Sequence, residues 1–307
     1  MFRVSLLTAR SKAAILLAFA AFGWGTNTIA GKLAVGEVSP MMLIFLRWGI
    51  VAVLLSLLYF KQMLVCWPVI KARLVWVMLM GGLGLSMFNA LFYMAAHHTT
   101  ALNLGIIQSM MPAMILLGSF LVWRTKVTRL QMFGLVFAFV GAILIVSKGS
   151  VIEVSKFTLN MGDLLMFLAC IFYAGYAVGL RGRPDINGIV MMACFSVAAF
   201  FMTIPLVLVE AFFFELQYPT TTGLQIIVYI AIVPSFLCQV FFMKGVDTIG
   251  PNSSGLYANL VPITSTFLAV VILGEALELY HLISLGFVFF GIYIFDIKAR
   301  NQANSAG

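Results

Sequence analysis

The sequence predicts an all-α integral membrane protein of about ten transmembrane helices, arranged as two inverted five-helix repeats. Three observations predict this fold. The composition is too apolar for a soluble chain, ten apolar runs have spanning length, and the two halves match each other at a nearly constant offset. Of 307 residues, 63% are hydrophobic and 9% charged, with a mean hydropathy of +1.11. Soluble domains carry about 45–50% apolar and about 25% charged residues. A chain of this length therefore lacks the polar residues to cover a core in water, whereas a bilayer accepts an apolar outer surface.

Charge and cysteine content exclude other classes. The net charge of +8 invites a nucleic-acid partner, but the basic residues stand in short clusters between apolar runs, as the loop bias of Lys and Arg predicts. No nucleic-acid partner is expected. Cys66, Cys170, Cys194 and Cys238 form no C-x-x-C pair, and three of them lie inside apolar runs. They read as small buried hydrophobes, with no disulfide framework, metal or cofactor implied. Arg3, Arg10 and Lys12 precede an apolar run in the manner of a signal peptide. That run outlasts a signal core and further spans follow it, so it reads as a retained first helix.

A hydrocarbon core of roughly 30 Å needs about 20 helical residues. Runs of that kind occupy 13–34, 40–60, 74–94, 101–123 and 128–147, then 162–180, 187–213, 223–243, 252–274 and 280–297. Backbone groups in lipid must be satisfied internally, and these runs do not alternate as barrel strands do, so helices are expected. With both termini cytoplasmic, 14 of the 18 basic residues fall on the inner side. The remainder are Lys32, Arg47, Lys148 and Lys156. The outer loops hold Glu37, Glu153, Glu210, Glu215, Glu275 and Glu278.

The repeat follows from an offset of 150 residues. It pairs Pro112 with Pro262, Gly105 with Gly255, Gly141 with Gly291, Phe92 with Phe242 and Asn89 with Gln239. Near the start of each half the offset is about 148, pairing Gly31 with Gly179. The units are 1–150 and 151–307, each with five spans. An odd number of spans makes the second unit enter the membrane from the opposite face, so the copies are inverted. Inverted repeats are characteristic of secondary transporters, whose site lies near the midplane between them.

The stretch Phe22-Gly23-Trp24-Gly25-Thr26-Asn27, with Arg47, Pro112, Pro262, Leu273-Gly274-Glu275, Gly286 and Gly291, resembles the drug/metabolite transporter superfamily in its EamA branch. The resemblance covers nearly the whole chain. Where the second half reads Gly274-Glu275, the first reads Arg124-Thr125. The resemblance implies transport, commonly export, of amino acids or related metabolites. Together with the short loops it implies a multi-pass protein of a bacterial inner membrane. The partners expected are a small-molecule substrate and the bilayer, with the oligomeric state open. An alternative cargo is quaternary amines or other cationic or amphipathic compounds.

Candidate substrate contacts are polar or amphipathic side chains within spans, where lipid exposure is costly. They are Trp24 and Asn27 in the first span, Asn89 and Tyr93 in the third, Gln108 in the fourth and Tyr176 in the sixth. In the second half they are Gln239, Tyr257 and Asn259. Amides and phenols can hydrogen-bond a zwitterion, and aromatic faces can hold an ammonium group. The plain alternative is that these groups join helices to one another. Pro112 and Pro262 are expected to kink equivalent helices, either as static bends or as points that flex when access changes.

Arg47 lies roughly 10 Å from the outer end of its helix. That depth favours snorkelling to the interface over binding a substrate carboxylate. Glu275 reads as a loop or helix-end contact, and His97-His98 as a solvated outer pair. Gly175-x-x-x-Gly179 reads as packing within one molecule. No Asp or Glu stands near the middle of any expected span, which disfavours carboxylate-based proton exchange and leaves facilitated diffusion or exchange. An intramembrane enzyme finds no support, since H-E-x-x-H, a buried aspartate pair, G-x-S-x-G and a phosphate loop are all missing. A receptor or assembly subunit would leave the inverted repeat unexplained.

Overall fold

The structure, a computed structural model, describes residues 2–125, 129–147, 160–249, 254 and 257–291. Among the described residues, seven helices are long and apolar enough to cross a membrane, and three shorter apolar helices bring the number to ten. The first half contains α1 (Phe2–Leu33), α2 (Pro40–Ala72), α3 (Leu74–His98), α4 (Ala101–Trp123) and α5 (Arg129–Val146). The second contains α6 (Met161–Gly179), α7 (Gly188–Phe213), α8 (Thr221–Ile249), α9 (Leu260–Leu273) and α10 (Leu279–Gly291). Large apolar side chains such as Leu57, Val65 and Phe212 stand 76–81% exposed, as expected where the surrounding solvent is lipid.

The helix contacts show the inversion directly. Helices α2 and α7, equivalent by the repeat, pack side by side along their length. Ser39 at the start of α2 meets Glu210 at the end of α7, and farther along Phe45 stacks on Phe200 with centroids 5.1 Å apart. Equivalent helices therefore run antiparallel. At the other flank Phe137 of α5 meets Phe287 and Phe290 of α10. The remaining contacts come in mirrored pairs, α1 packing on α8 and α9 as α6 packs on α3 and α4.

Helices α3 and α8 each widen into a π-helical segment at equivalent depth, Met80–Met87 and Ala231–Leu237. Such bulges leave carbonyls without their usual donor, and lipid offers no water to satisfy them. Side chains take that place: Asn89 Nδ2 donates to Leu85 O at 2.6 Å, Ser235 Oγ to Ile230 O at 2.6 Å, and Trp24 Nε1 to Pro234 O at 3.0 Å. At Gly81 the α3 bulge presses on the α7 backbone. A Cβ there would come within 2.5 Å of Phe195 O, so only glycine fits.

Both α4 and α9 are interrupted just before their prolines. In α4 a turn at Ser109–Met110 separates Ala101–Gln108 from Met111–Trp123, which holds Pro112 at its start. In α9 a turn at Asn259 precedes Leu260, with Pro262 two residues on. The expected kinks are thus breaks of the helix at equivalent depth. Each of these helices also ends on a left-handed residue, Arg124 (φ 52°) and Gly274 (φ 65°). The backbone keeps its symmetry where the residues do not. A non-glycine residue in that region costs about 1–2 kcal/mol, part of which glycine returns as chain entropy. Arg124→Gly is therefore expected to raise thermal stability by about 0.5–1 kcal/mol, readable as a higher unfolding midpoint.

Two expectations are corrected here. Helix α2 does not end at residue 60 but continues to Ala72 beyond an irregular turn at Tyr59 (φ −120°, ψ 16°). A hydropathy reading stops at Lys61, whereas helical hydrogen bonding is indifferent to a charged side chain that reaches solvent. Glu210, read as an outer-loop residue, is buried at the end of α7, 7% exposed. Gly179 packs on Met80 of α3, while Gly175 meets nothing within 4 Å. His97 and His98 are exposed at the end of α3, and no cluster of metal-ligating side chains occurs among the described residues. Gly255, Lys126, Lys148, Glu153, Lys156, Lys298, Arg300 and the end of the tenth run at 292–297 lie outside the described residues.

Candidate functional site

A cavity of about 260 Å³ lies between the two halves. Its walls are built from equivalent segments. Gln108, Ser109, Met111 and Pro112 of α4 face Ala258, Asn259, Val261 and Pro262, while Leu85 and Asn89 of α3 face Ser235 and Gln239 of α8. Trp24, Asn27, Arg47, Trp48, Tyr173 and Met192 complete most of the remainder. The helix interruptions therefore occur where the wall is made. The volume suits a small organic molecule, just below the roughly 300–1,000 Å³ of drug-sized sites.

Six of the nine candidate contacts stand on this wall: Trp24, Asn27, Asn89, Gln108, Gln239 and Asn259. So do both prolines. Tyr93, Tyr176 and Tyr257 are not wall residues. Tyr176 is instead packed against Phe195 and Tyr173, with ring centroids 5.8 Å from each. Periodicity places these tyrosines in spans, but only packing decides which side of the helix meets the cavity.

Arg47 overturns the snorkelling expectation. It is 6% exposed and turned inward. Its Nε donates to Ser235 Oγ at 2.8 Å, and Nη1 donates to Asn89 Oδ1 at 2.7 Å and Tyr93 Oη at 2.6 Å. Tyr93 in turn donates to Asn27 Oδ1 at 3.0 Å. Helices α3 and α8 thus bond the guanidinium of α2, and α1 joins the network through Tyr93. A buried cation left without hydrogen bonds is prohibitively costly, so three acceptors prepared inside the bundle outweigh a long reach to the interface. All three acceptors are neutral. The sequence signal was present, since Arg47 is the basic residue deepest in an apolar run. What it lacked was the direction of the side chain.

The wall amides divide by engagement. Asn27 and Asn89 belong to the Arg47 network, whereas among the described residues Gln239 reaches only the sulfur of Met192 at 3.8 Å. Among the described residues Gln108 Oε1 is buried without a hydrogen-bond partner, and so is Trp48 Nε1. Unpaired buried polar groups are costly, and two of the five among the described residues belong to wall residues, the others being Thr28, Asn103 and Thr266.

One end of the bundle, where α1 ends and α2 begins, is tied by carboxylates of the second half. Glu210 accepts from Ser39 Oγ at 2.7 Å and from the Met41 and Met42 N–H groups at 3.1 Å. Glu275 accepts from the N–H groups of Ala101 and Leu102 at 2.8 Å, and Asp163 from Thr99 Oγ1 at 2.6 Å. Two first-half helices therefore receive their N-terminal caps from the second half, where helix dipoles favour negative charge. Glu275 is indeed a helix-end contact, and it joins the halves.

Comparison with known proteins gives the same architecture a family. A model of the EamA-like transporter family matches twice, over residues 11–147 and 160–295. The chain belongs to the EamA-like transporter family. Relatives of this EamA-like protein include the uncharacterized transporter YyaM of Bacillus subtilis, 24% identical over 282 residues, which span 91% of each chain. YetK of the same organism, also named an uncharacterized transporter, is 26% identical, covering 90% of this chain and 84% of its own. An uncharacterized transporter of Archaeoglobus fulgidus is 24% identical over 94% of this chain and 98% of its own. A solved crystal structure shares the fold at a TM-score of 0.65 and 18% identity, covering 95% of this chain and 99% of its own. The EamA-like chain is thus a multi-span protein of a transporter family, for which a bilayer and a small-molecule substrate are the natural partners.

Proposed function

We propose that this chain is a secondary transporter that exports amino acids or related metabolites across a bacterial inner membrane by alternating access. Its termini are cytoplasmic in this reading, and the units 1–150 and 151–307 rock about the cavity. The observation that carries the reading is the cavity itself, walled by equivalent, interrupted segments of inverted halves. Alternating access needs such a site, because exchanging the conformations of two inverted units moves the opening from one face to the other. Trp24, Asn27, Asn89, Gln108, Gln239 and Asn259 are the proposed contacts, with Tyr93 acting through Arg47. None of the wall residues among the described residues is acidic, which favours facilitated diffusion or exchange over carboxylate-borne proton coupling.

Purified protein in liposomes loaded with unlabelled amino acids is expected to accumulate labelled amino acids by counterflow, and collapsing a pH gradient is expected to leave the rate unchanged. Counterflow no faster than in protein-free liposomes across the amino-acid panel would refute the proposal. The broken helices set a second expectation. Pro112→Ala combined with Pro262→Ala should slow turnover roughly tenfold, about 1.4 kcal/mol on the barrier, without changing substrate affinity. Unchanged turnover at unchanged expression would reduce both prolines to static bends.

A further inference from the structure

We infer that the cavity selects its ligand by a carboxylate, with Arg47 as the anchor, and that an ammonium group on the ligand is dispensable; this rests on the transport reading of the same cavity. The charge balance of the wall carries the argument. Among the described residues Arg47 is the one basic residue of the wall, and none of its neighbours there is acidic. The three acceptors that hold Nε and Nη1 are neutral, so they orient the guanidinium without cancelling its charge. Its other terminal nitrogen, Nη2, has no hydrogen-bond partner among the described residues. Trp48, the next residue and also on the wall, turns its ring face to the guanidinium. The Arg47 guanidinium carbon lies 5.4 Å from the Trp48 ring.

A cationic donor left unspent on a cavity wall is complementary to an anionic acceptor group. A carboxylate fits because guanidinium–carboxylate contacts are charge-assisted and are strengthened where water is excluded. It also neutralises a single buried positive charge without adding a second negative one. A cation would meet like charge at short range, and the aromatic wall does not offset that. The ammonium of a zwitterion would find an acceptor in Gln108 Oε1, which is buried and unpartnered. That acceptor is uncharged, however, and serves a ligand hydroxyl equally well. The quaternary-amine alternative is therefore disfavoured, and deaminated carboxylates join amino acids as ligands.

The test uses the full chain in nanodiscs of uncharged lipid, titrated through the intrinsic fluorescence of its five tryptophans, of which Trp24 and Trp48 stand on the wall. The probes are phenylpropanoate, phenylalanine, phenethylamine and phenyl phosphate. Phenylpropanoate is expected to bind at least as tightly as phenylalanine, and phenethylamine and phenyl phosphate about tenfold or more weakly than phenylpropanoate. Arg47→Gln is expected to compress the carboxylate-to-amine preference to within about twofold, while Arg47→Lys keeps part of it. Equal or tighter binding of phenethylamine would overturn the inference, as would binding of none of the four. Tighter binding of phenyl phosphate would assign the anchor to phosphate esters and overturn it too. If Arg47→Gln does not fold, the probe series on the unaltered chain decides alone. Carboxylate-selective binding without counterflow would sink the transport proposal and leave this one standing.

Discussion

Replacing Glu210 with alanine is expected to cost the folded protein roughly 3 kcal/mol or more, among the largest losses any single side chain here can produce. The carboxylate is 7% exposed and accepts three hydrogen bonds, from Ser39 Oγ and the Met41 and Met42 N–H groups. Helix α2 opens Ser39-Pro40, and Ser39 makes no side-chain cap of its own because its hydroxyl is donated to Glu210. Alanine would leave the Met41 and Met42 N–H groups without their acceptor, each worth about 1–3 kcal/mol, and leave Ser39 Oγ with only its longer bond to Gln217 O at 3.3 Å. Glu210→Gln keeps one acceptor oxygen and should lose about half as much. Thermal unfolding in detergent measures both variants. A Glu210→Ala midpoint equal to wild type would show that α2 is capped by other means.

Asn89→Leu is expected to be nearly as damaging, at about 2–4 kcal/mol, and to be partly rescued by a second change. Asn89 gives Arg47 an acceptor at 2.7 Å and closes the α3 bulge by donating to Leu85 O. Leucine strips one acceptor from a buried guanidinium and leaves the Leu85 carbonyl open. Adding Arg47→Met removes the charge that needed the acceptor. The double variant should therefore be more stable than Asn89→Leu alone, by about 1 kcal/mol or more. Additive losses in the double-mutant cycle would mean that Asn89 matters through the bulge and not through Arg47. Because Arg47→Met also removes the proposed anchor, the rescued protein should fold yet bind no carboxylate.

The two variants probe different parts of one device. Glu210, Glu275 and Asp163 join the halves at a single end of the bundle. The first repeat unit cannot answer with a matching set at the other end, because Glu37 is its one acidic residue. There the cross-half contacts include Arg73 Nη1 to Gly182 O at 2.7 Å and Trp123 Nε1 to Val178 O at 3.1 Å. If the halves rock as proposed, an inverted repeat with unequal ends favours one access state over its mirror image, by the difference in what ties each end.

Much of the architecture was legible because membrane insertion leaves a long-wavelength signal. Twenty consecutive apolar residues cannot be hidden, and the Pro112–Pro262 and Asn89–Gln239 pairs persist because both halves place a break and an amide at the same depth. Residue direction was less legible. The sequence sends Arg47 outward, since depth along a helix is written in sequence while azimuth around it is not. Tyr176 and Tyr173 are three residues apart on α6, yet only Tyr173 stands on the wall. Glu210 sits at the edge of an apolar run, where a loop residue and a cap supplied to another helix look alike.

The chain's own composition and internal offset determined that it crosses a membrane ten times as two opposed units, because hydropathy and repetition are properties of the chain alone. Tertiary structure decided which polar groups meet: Arg47 with Asn89, Tyr93 and Ser235, and the second-half carboxylates with first-half helix ends. Those partners lie about 40 to 190 residues apart. Such pairings follow from how helices pack and rotate against one another, and in an almost uniformly apolar chain many rotations would satisfy hydropathy equally.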